Sequence, residues 1–287
     1  DGSRSCRVFG EWASFRAMHS QIERANLFKA LHLSDSPLIL PNVWDSLTAA
    51  MVANAGFPAI ATASAGVALS RGFDDGEQIP FEELVELVKR ICSVVAVPVS
   101  VDFERGYGDT SQHVGENTAR LIEAGAVGVN IEDSLDHDTM RPVDDQCQRI
   151  AAVRDSAERL GVPLFINART DVFMTDPHVD AEAIPRLRAY VESGADGVYP
   201  IMCDDLRTLE KIHEATERPI NVFLRPDTPP ASSLLEVGVR RISMGPGLLS
   251  IAAGASTDAL RRLSDGDLYL NDVPRLTATE MRRIQGI

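Results

Sequence analysis

The chain has 287 residues, within the range of one α/β barrel and enough to bury a large core. Its 28 Lys and Arg stand against 42 Asp and Glu, and the formal charge of -14 argues against a general affinity for nucleic acid or anionic membrane. A small anionic ligand would therefore need a local positive centre. Cys6, Cys92, Cys147 and Cys203 are widely spaced with no Cys-x-x-Cys pair, which fits a reducing, cytoplasmic setting rather than a disulfide framework. No apolar run approaches the roughly 18 residues that span a bilayer. Asp1-Gly2-Ser3-Arg4-Ser5 lacks a signal-peptide core, and without an initiator Met the start is expected to be trimmed.

In chain order, residues from about 11 to 33 are expected to form a leading helix. Pro37-Leu38-Ile39-Leu40 then opens a series of Pro-led apolar segments that recurs at Pro98-Val99-Ser100-Val101, Pro163-Leu164-Phe165-Ile166 and Pro219-Ile220-Asn221-Val222, about 60 residues apart. Pro at the first position of a strand forfeits no ladder hydrogen bond. Between these segments a Gly closes a helical stretch and a strand follows, at Ala55-Gly56, Ala124-Gly125, Ser193-Gly194 and Val237-Gly238. Gly just past a helix end tolerates the left-handed conformation that stops the helix. Helix-length stretches over 81–93, 111–123 and 143–160 fill the intervals.

Strands that alternate with helices in this way predict a (β/α)8 TIM-type barrel, with a doubly wound open sheet as the second choice. A single domain over 1–287 is expected, its barrel core over about 36–262. The polar turn Ser264-Asp265-Gly266-Asp267 begins a C-terminal helical tail over about 265–287, with a helix at 277–284.

Barrels of this kind build their sites at the C-terminal ends of the strands. Three acids fall there: Asp102 and Glu104 end Val97-Pro98-Val99-Ser100-Val101-Asp102-Phe103-Glu104, and Glu132 ends Val127-Gly128-Val129-Asn130-Ile131-Glu132. Such oxygen ligands suit Mg²⁺ or Mn²⁺. Asp102 and Glu104 share a face if the strand continues; the alternative is a solvated end paired with Arg105 or Arg141. Arg169 closes another strand and could hold a substrate carboxylate bidentately, or pair with Asp171 or Glu132. Asn167 lies one pleat earlier on the same face, where it could orient the arginine or a water. Ser64, Ala65 and Gly66 offer backbone N–H groups to an anionic oxygen, unless they form only a turn. Arg71-Gly72-Phe73-Asp74-Asp75-Gly76 has the character of a mobile lid and equally of an ordinary surface loop. Trp44 could wall the site, whereas Asp45 is as well suited to N-cap the next helix.

Taken together, Pro41-Asn42-Val43-Trp44-Asp45, Thr62-Ala63-Ser64-Ala65-Gly66, Val101-Asp102-Phe103-Glu104-Arg105-Gly106-Tyr107-Gly108, Val129-Asn130-Ile131-Glu132-Asp133 and Ile166-Asn167-Ala168-Arg169-Thr170-Asp171 resemble the isocitrate lyase and phosphoenolpyruvate mutase superfamily, in particular its small bacterial mutase-like branch. The resemblance covers roughly residues 38–253. It implies an eighth helix exchanged between paired subunits of a homodimer or homotetramer, and Mg²⁺ held largely through water at Asp102, Glu104 and Glu132. It also implies a small 2-oxo carboxylate against Ser64, Ala65, Gly66 and Arg169, and Asp75 as a mobile-loop aspartate. On this basis Arg169, Asp75 and Glu132 are the catalytic candidates, and Trp44, Asp102 and Asn167 join the substrate contacts.

Two departures bear on the reaction. The lyases of the superfamily carry a Lys-x-Cys-Gly-His loop where this chain reads Ser134-Leu135-Asp136-His137-Asp138-Thr139-Met140-Arg141, without cysteine. Cys147, further on, reads as a small core residue. The mutases and phosphonopyruvate hydrolases place a histidine after the sixth strand, where this chain has Gly197-Val198-Tyr199-Pro200-Ile201-Met202. His137 could substitute in either role or be solvated. The expected activity is Mg²⁺-dependent cleavage of a carbon–carbon bond in a 2-oxo or 2-hydroxy acid through an enolate, as in oxaloacetate decarboxylation or methylisocitrate cleavage. The alternatives are carbon–phosphorus chemistry on phosphoenolpyruvate or phosphonopyruvate, and a 2-oxo acid binding protein without turnover.

Overall fold

The computed structural model describes residues 20–136, 139–175 and 179–287. The leading helix is α1 (Gln21–Leu31), and the part expected over 11–19 lies outside the described residues. There follow β1 (Leu38–Leu40), β2 (Asn42–Val43), α2 (Ser46–Asn54), β3 (Ile60–Thr62), α3 (Ser64–Leu69), α4 (Phe81–Val94), β4 (Val99–Asp102) and α5 (Ser111–Glu123). The chain continues through β5 (Gly128–Glu132), α6 (Val143–Arg159), β6 (Phe165–Thr170), α7 (Val172–Thr175), α8 (Asp180–Glu192), β7 (Gly197–Pro200) and α9 (Leu206–Thr216). It ends with β8 (Ile220–Phe223), α10 (Ala231–Glu236), β9 (Val239–Ser243), α11 (Gly247–Ser264) and α12 (Ala278–Gln285).

All nine strands lie parallel in one sheet ordered β1-β9-β8-β7-β6-β5-β4-β3-β2, the wall of a TIM-type barrel. Its two ends, β1 and β2, are consecutive in the chain, so they are one barrel strand broken at Pro41. Proline has no N–H to continue the ladder, although its carbonyl still accepts from Ala61 at 3.2 Å. Asn42 closes the seam. Its Nδ2 donates to the Thr62 carbonyl at 2.7 Å, and its Oδ1 accepts from the N–H groups of Met244 at 2.7 Å and Gly245 at 3.0 Å.

The glycines expected to stop helices do so: Gly56, Gly125, Gly194 and Gly238 have φ of 90°, 109°, 111° and 89°. The N-terminal end of the barrel is covered by α1. Phe28 is fully buried there, and a Cβ on Gly128 would stand 2.6 Å from its ring, so only glycine admits this plug. His32, also buried, stacks on Phe165 with ring centroids 3.9 Å apart. Gln21 ties the helix down by donating to the carbonyls of Ile122 and Ala126 at 2.6 and 2.9 Å.

The eighth barrel helix, α11, behaves differently from the others, since none of its residues is buried. Ile251 and Leu260 on it are 65% and 66% exposed, and Ile39, on the outer face of β1, is left 37% exposed. By contrast, α12 rests on α2, where Asn54 Nδ2 donates to the Ile284 carbonyl at 2.9 Å. No helix among the described residues is long and apolar enough to cross a membrane.

Candidate active site

Asp102 is the last residue of β4, and its N–H is held by Thr62 Oγ1 at 2.8 Å. Its Oδ2 accepts the Ser64 N–H at 3.1 Å, while Oδ1 is buried without a partner. Because β4 ends here, the expected strand alternation does not place Glu104. That residue takes the left-handed conformation, φ 49°, in a turn with Gly106 and Tyr107. Non-glycine residues held there are strained and persist where the surroundings over-determine them. In this case Glu104 Oε1 accepts from the Tyr107 hydroxyl and Oε2 from the Glu77 N–H, both at 2.5 Å. Neither alternative ion pair forms: Arg105 pairs with Glu77 and Arg141 with Asp145.

At the end of β5, Glu132 Oε2 lies 2.9 Å from Arg169 Nη1, and Oε1 accepts from Ser134 Oγ at 3.0 Å. Asp102, Glu104 and Glu132 are 9%, 5% and 7% exposed, so three acids crowd a mouth largely closed to water. Burial pushes Glu104 up to about 7, with the Tyr107 hydroxyl opposing and the Asp102 charge reinforcing the shift. Glu132 is raised by burial against the pull of Arg169, and the charges of Asp171, Asp102 and Glu104 add to the rise. Such a set calls for a cation.

Arg169 is tied on two sides. Its Nε and Nη2 donate to Asp171 at 2.5 and 2.8 Å, and Nη1 pairs with Glu132, so both pairings weighed against a ligand role are present together. A guanidinium has five N–H donors; Nη2 also reaches Met174 Sδ at 3.9 Å, so among the described residues one N–H, on Nη1, is left without a partner. The arginine can therefore still receive a carboxylate, in an orientation that its two partners fix.

Asp133, read in the sequence beside the end of β5 but given no role of its own, braces the Arg169–Asp171 segment. It is fully buried, and it accepts from Thr170 Oγ1 at 2.7 Å, the Asp171 N–H at 2.9 Å and the Tyr190 hydroxyl at 2.8 Å, with Arg186 at 3.4 Å. It lies just past the end of β5, where Arg186 and Tyr190 meet it from successive turns of α8. A buried acid beside a strand-end Glu was the available signal.

The small residues after β3 form the short helix α3 rather than a plain turn. The Ser64 N–H is occupied by Asp102, so the first-turn amides of Ala65 and Gly66 remain for a ligand oxygen. Trp44 stands beside them, its Cβ 3.8 Å from a Cβ built on Gly66, and Asp45 is the N-cap of α2. The loop expected as a lid lies over the mouth. Arg105 Nη2 donates to the Gly76 carbonyl at 2.6 Å, the Glu77 N–H meets Glu104, and Glu77 Oε1 accepts the Tyr107 N–H at 2.6 Å. Asp75 is on the exposed rim, where partial desolvation and the Asp102 charge raise its carboxyl while the Ser64 hydroxyl opposes the rise. Glu77 and Tyr107, which latch the lid, were not singled out from sequence.

Among the described residues no three His, Cys, Asp or Glu side chains close into a ready-made metal cage. The donor set nevertheless fits a hard cation reached partly through water. Asp102 Oδ1 is the carboxylate oxygen of the three acids left without a partner, and the oxygens of Glu104 and Glu132 are already engaged. Thiol chemistry is disfavoured, since burial pushes Cys92 and Cys203 up to about 12 and Cys147 sits in α6. His137 and Cys6 lie outside the described residues. Asn167 faces the barrel interior, its Nδ2 donating to Asn130 Oδ1 at 2.9 Å, and its Oδ1 accepts no hydrogen bond from Arg169.

Comparison with known proteins places this geometry. The family model described as phosphoenolpyruvate phosphomutase matches residues 28–264. A solved Burkholderia cenocepacia J2315 structure, assigned only provisionally as a phosphonomutase, is 39% identical, covers 85% of this chain and 100% of its own, and superposes with a TM-score of 0.80. An uncharacterized protein of Mycobacterium tuberculosis H37Rv is 33% identical over 86% of this chain and 92% of its own. The oxaloacetate decarboxylase of Pseudomonas putida is 29% identical over 93% of this chain and 92% of its own.

Proposed function

The chain belongs to the phosphoenolpyruvate phosphomutase family, within the isocitrate lyase/phosphoenolpyruvate mutase superfamily, and on that premise we propose that it is a divalent-metal-dependent lyase that breaks a carbon–carbon bond of a small 2-oxo or 2-hydroxy acid. The favoured reactions are decarboxylation of oxaloacetate and retro-aldol cleavage of a related acid. One observation carries this reading: the free, buried oxygen of Asp102 and the unengaged Nη1 N–H of Arg169 belong to one barrel mouth, beside the open amides of Ala65 and Gly66.

Asp102 would ligate the cation directly, and Glu104 and Glu132 would reach it through water. When bound, Mg²⁺ or Mn²⁺ supplies Lewis-acid polarisation of the substrate's 2-oxo oxygen. Arg169, oriented by Asp171 and Glu132, holds the substrate carboxylate and sets the breaking bond perpendicular to the plane into which its electrons pass. The Ala65 and Gly66 amides take the other carboxylate oxygen, Trp44 walls it, and the latched lid keeps water out. Asp75, whose carboxyl is raised by partial desolvation and the Asp102 charge, is the rim group assigned to carry a proton. Decarboxylation needs no strong acid at C3, so the missing cysteine does not count against it.

The direct test is pyruvate release from oxaloacetate above the free-metal background, abolished in Asp102→Ala and Arg169→Ala. Equal rates for wild type and variants would sink the proposal. The phosphonomutase-like relative favours a second reading, carbon–phosphorus chemistry, which phosphorus NMR on phosphonopyruvate and phosphoenolpyruvate would reveal. The bare outer face at Ile39 and the unburied α11 also support a homodimer or higher homo-oligomer in which α11 of each copy covers the barrel of another.

A further inference from the structure

Below the mouth, the barrel interior holds a cation that neither the sequence nor the proposed function uses. Arg241, on β9, is 1% exposed. Its side chain crosses the barrel to β5, where Nη2 donates to Asn130 Oδ1 at 3.1 Å. Among the described residues no carboxylate lies within ion-pairing reach of it, and its Nε and Nη1 have no partner. A buried charge without a counter-ion costs several kcal/mol unless its donors are satisfied.

The same region carries unpartnered acceptors. Asn130 Oδ1 also accepts from Asn167 Nδ2 at 2.9 Å, and Asn167 Oδ1 is buried and unpartnered. The amide orientations follow from chemistry. A guanidinium only donates, so Asn130 must turn its oxygen to Arg241, and Asn167 must then present its NH2 group to that oxygen. Asn221, the strand neighbour of Arg241, donates to Ser243 Oγ at 3.2 Å and leaves its own buried Oδ1 unpartnered. Two free donor nitrogens thus share the barrel interior with two free acceptor oxygens. An anion would satisfy Arg241 and be repelled by both amide oxygens. A water molecule both accepts and donates, and buried waters commonly satisfy two to four such groups.

We propose that Arg241, Asn167 and Asn221 form an internal binding site for ordered water beneath the catalytic mouth, and that Arg241 is a positioning residue which acts through Asn130 to fix Asn167. The inference rests on the proposed function only in placing the ligand above Asn167. The charge of Arg241 also reaches downward, where it joins burial in depressing the neighbouring His32.

A crystal structure of the full chain at a resolution that shows solvent is expected to place water within hydrogen-bond distance of Arg241 Nε or Nη1 and of Asn167 or Asn221 Oδ1; a dry interior overturns the site. Calorimetry with Mg²⁺ and oxalate reads the positioning role without turnover. Arg241→Ala is expected to weaken oxalate by about tenfold or more, the usual cost of losing an orienting partner behind a ligand contact, and added guanidinium is expected to restore it. A folded Arg241→Ala with wild-type affinity, or a loss that guanidinium does not repair, overturns the role. If that variant does not fold, Arg241→Lys decides in its place: a drop supports positioning, and unchanged affinity refutes it. Loss of lyase activity in a substrate panel would remove the proposed function and leave these readouts standing.

Discussion

Asp171 grips the Nε–Nη2 edge of Arg169 in a two-point ion pair, which would leave a ligand bound as proposed only the Nη1 side. A lysine in its place has no fork with which to hold Asp171 and a substrate carboxylate at once. Arg169→Lys is expected to cost about 2–5 kcal/mol of carboxylate binding, seen in steady-state assays of oxaloacetate decarboxylation as a KM at least about thirtyfold higher.

Tyr107 latches the lid through Glu104, and its ring is held by Phe81 and Phe103, with centroids 5.3 and 6.4 Å away. Tyr107→Phe keeps that packing and deletes one hydrogen bond. The variant should lose about 1 kcal/mol of stability, while Glu104, freed on one oxygen, holds the lid less firmly. Faster proteolytic cleavage within residues 71–79, slowed again by oxalate, is the expected signature; cleavage as slow as in wild type would refute the latch.

His32 predicts an acid-sensitive fold. Its Nδ1 faces the Phe28 carbonyl at 2.7 Å and so carries the proton, while Nε2 is buried without a partner. Burial, helped by the Arg241 charge, lowers it from 6.5 to about 3. Above pH 6.5 the ring is neutral in both the folded and unfolded chain and has no effect. Between that pH and 3 the unfolded chain takes up a proton that the native state refuses, so stability falls by on the order of 1.4 kcal/mol per pH unit. Urea titrations at pH 7, 6 and 5 should show this slope in wild type and a shallower one in His32→Phe.

Asn42 bonds three backbone groups across the seam. Replacement by leucine leaves one carbonyl and two N–H groups without it, at about 1 kcal/mol each, and a total near 3 kcal/mol is expected by chemical denaturation. An unchanged midpoint would mean that the broken strand holds without it.

If α11 covers the barrel of a second copy, Ile251→Glu should give a smaller species in light scattering, since a charge would be buried against the bare wall at Ile39. A wild-type chain that is monomeric at micromolar concentration would refute the exchange.

What could be read from the sequence was local. Gly56, Gly125, Gly194 and Gly238 stop helices because left-handed φ is a property of a single residue, and the strand-end acids followed once the barrel was assigned. Contacts between distant residues were hidden: Asn42 meets Met244, 202 positions away, and Asp133 meets Tyr190, 57 away. The condition for a shared strand face, that the strand run on past Asp102, is not met. Alternation holds only while a strand lasts, and β4 ends at Asp102. Arg169 was ambiguous because Asp171, Glu132 and a ligand compete for the same chemistry, and in the structure both ion pairs form.

The plug that Phe28 makes against Gly128 has a bearing on traffic through the molecule. With α1 packed across the lower end, a substrate bound as proposed would be reached from the mouth, beneath residues 71–79. Under the proposed reaction the fragment nearer the rim would leave before the one held by Arg169. The order of departure would then be imposed by architecture rather than by relative affinity.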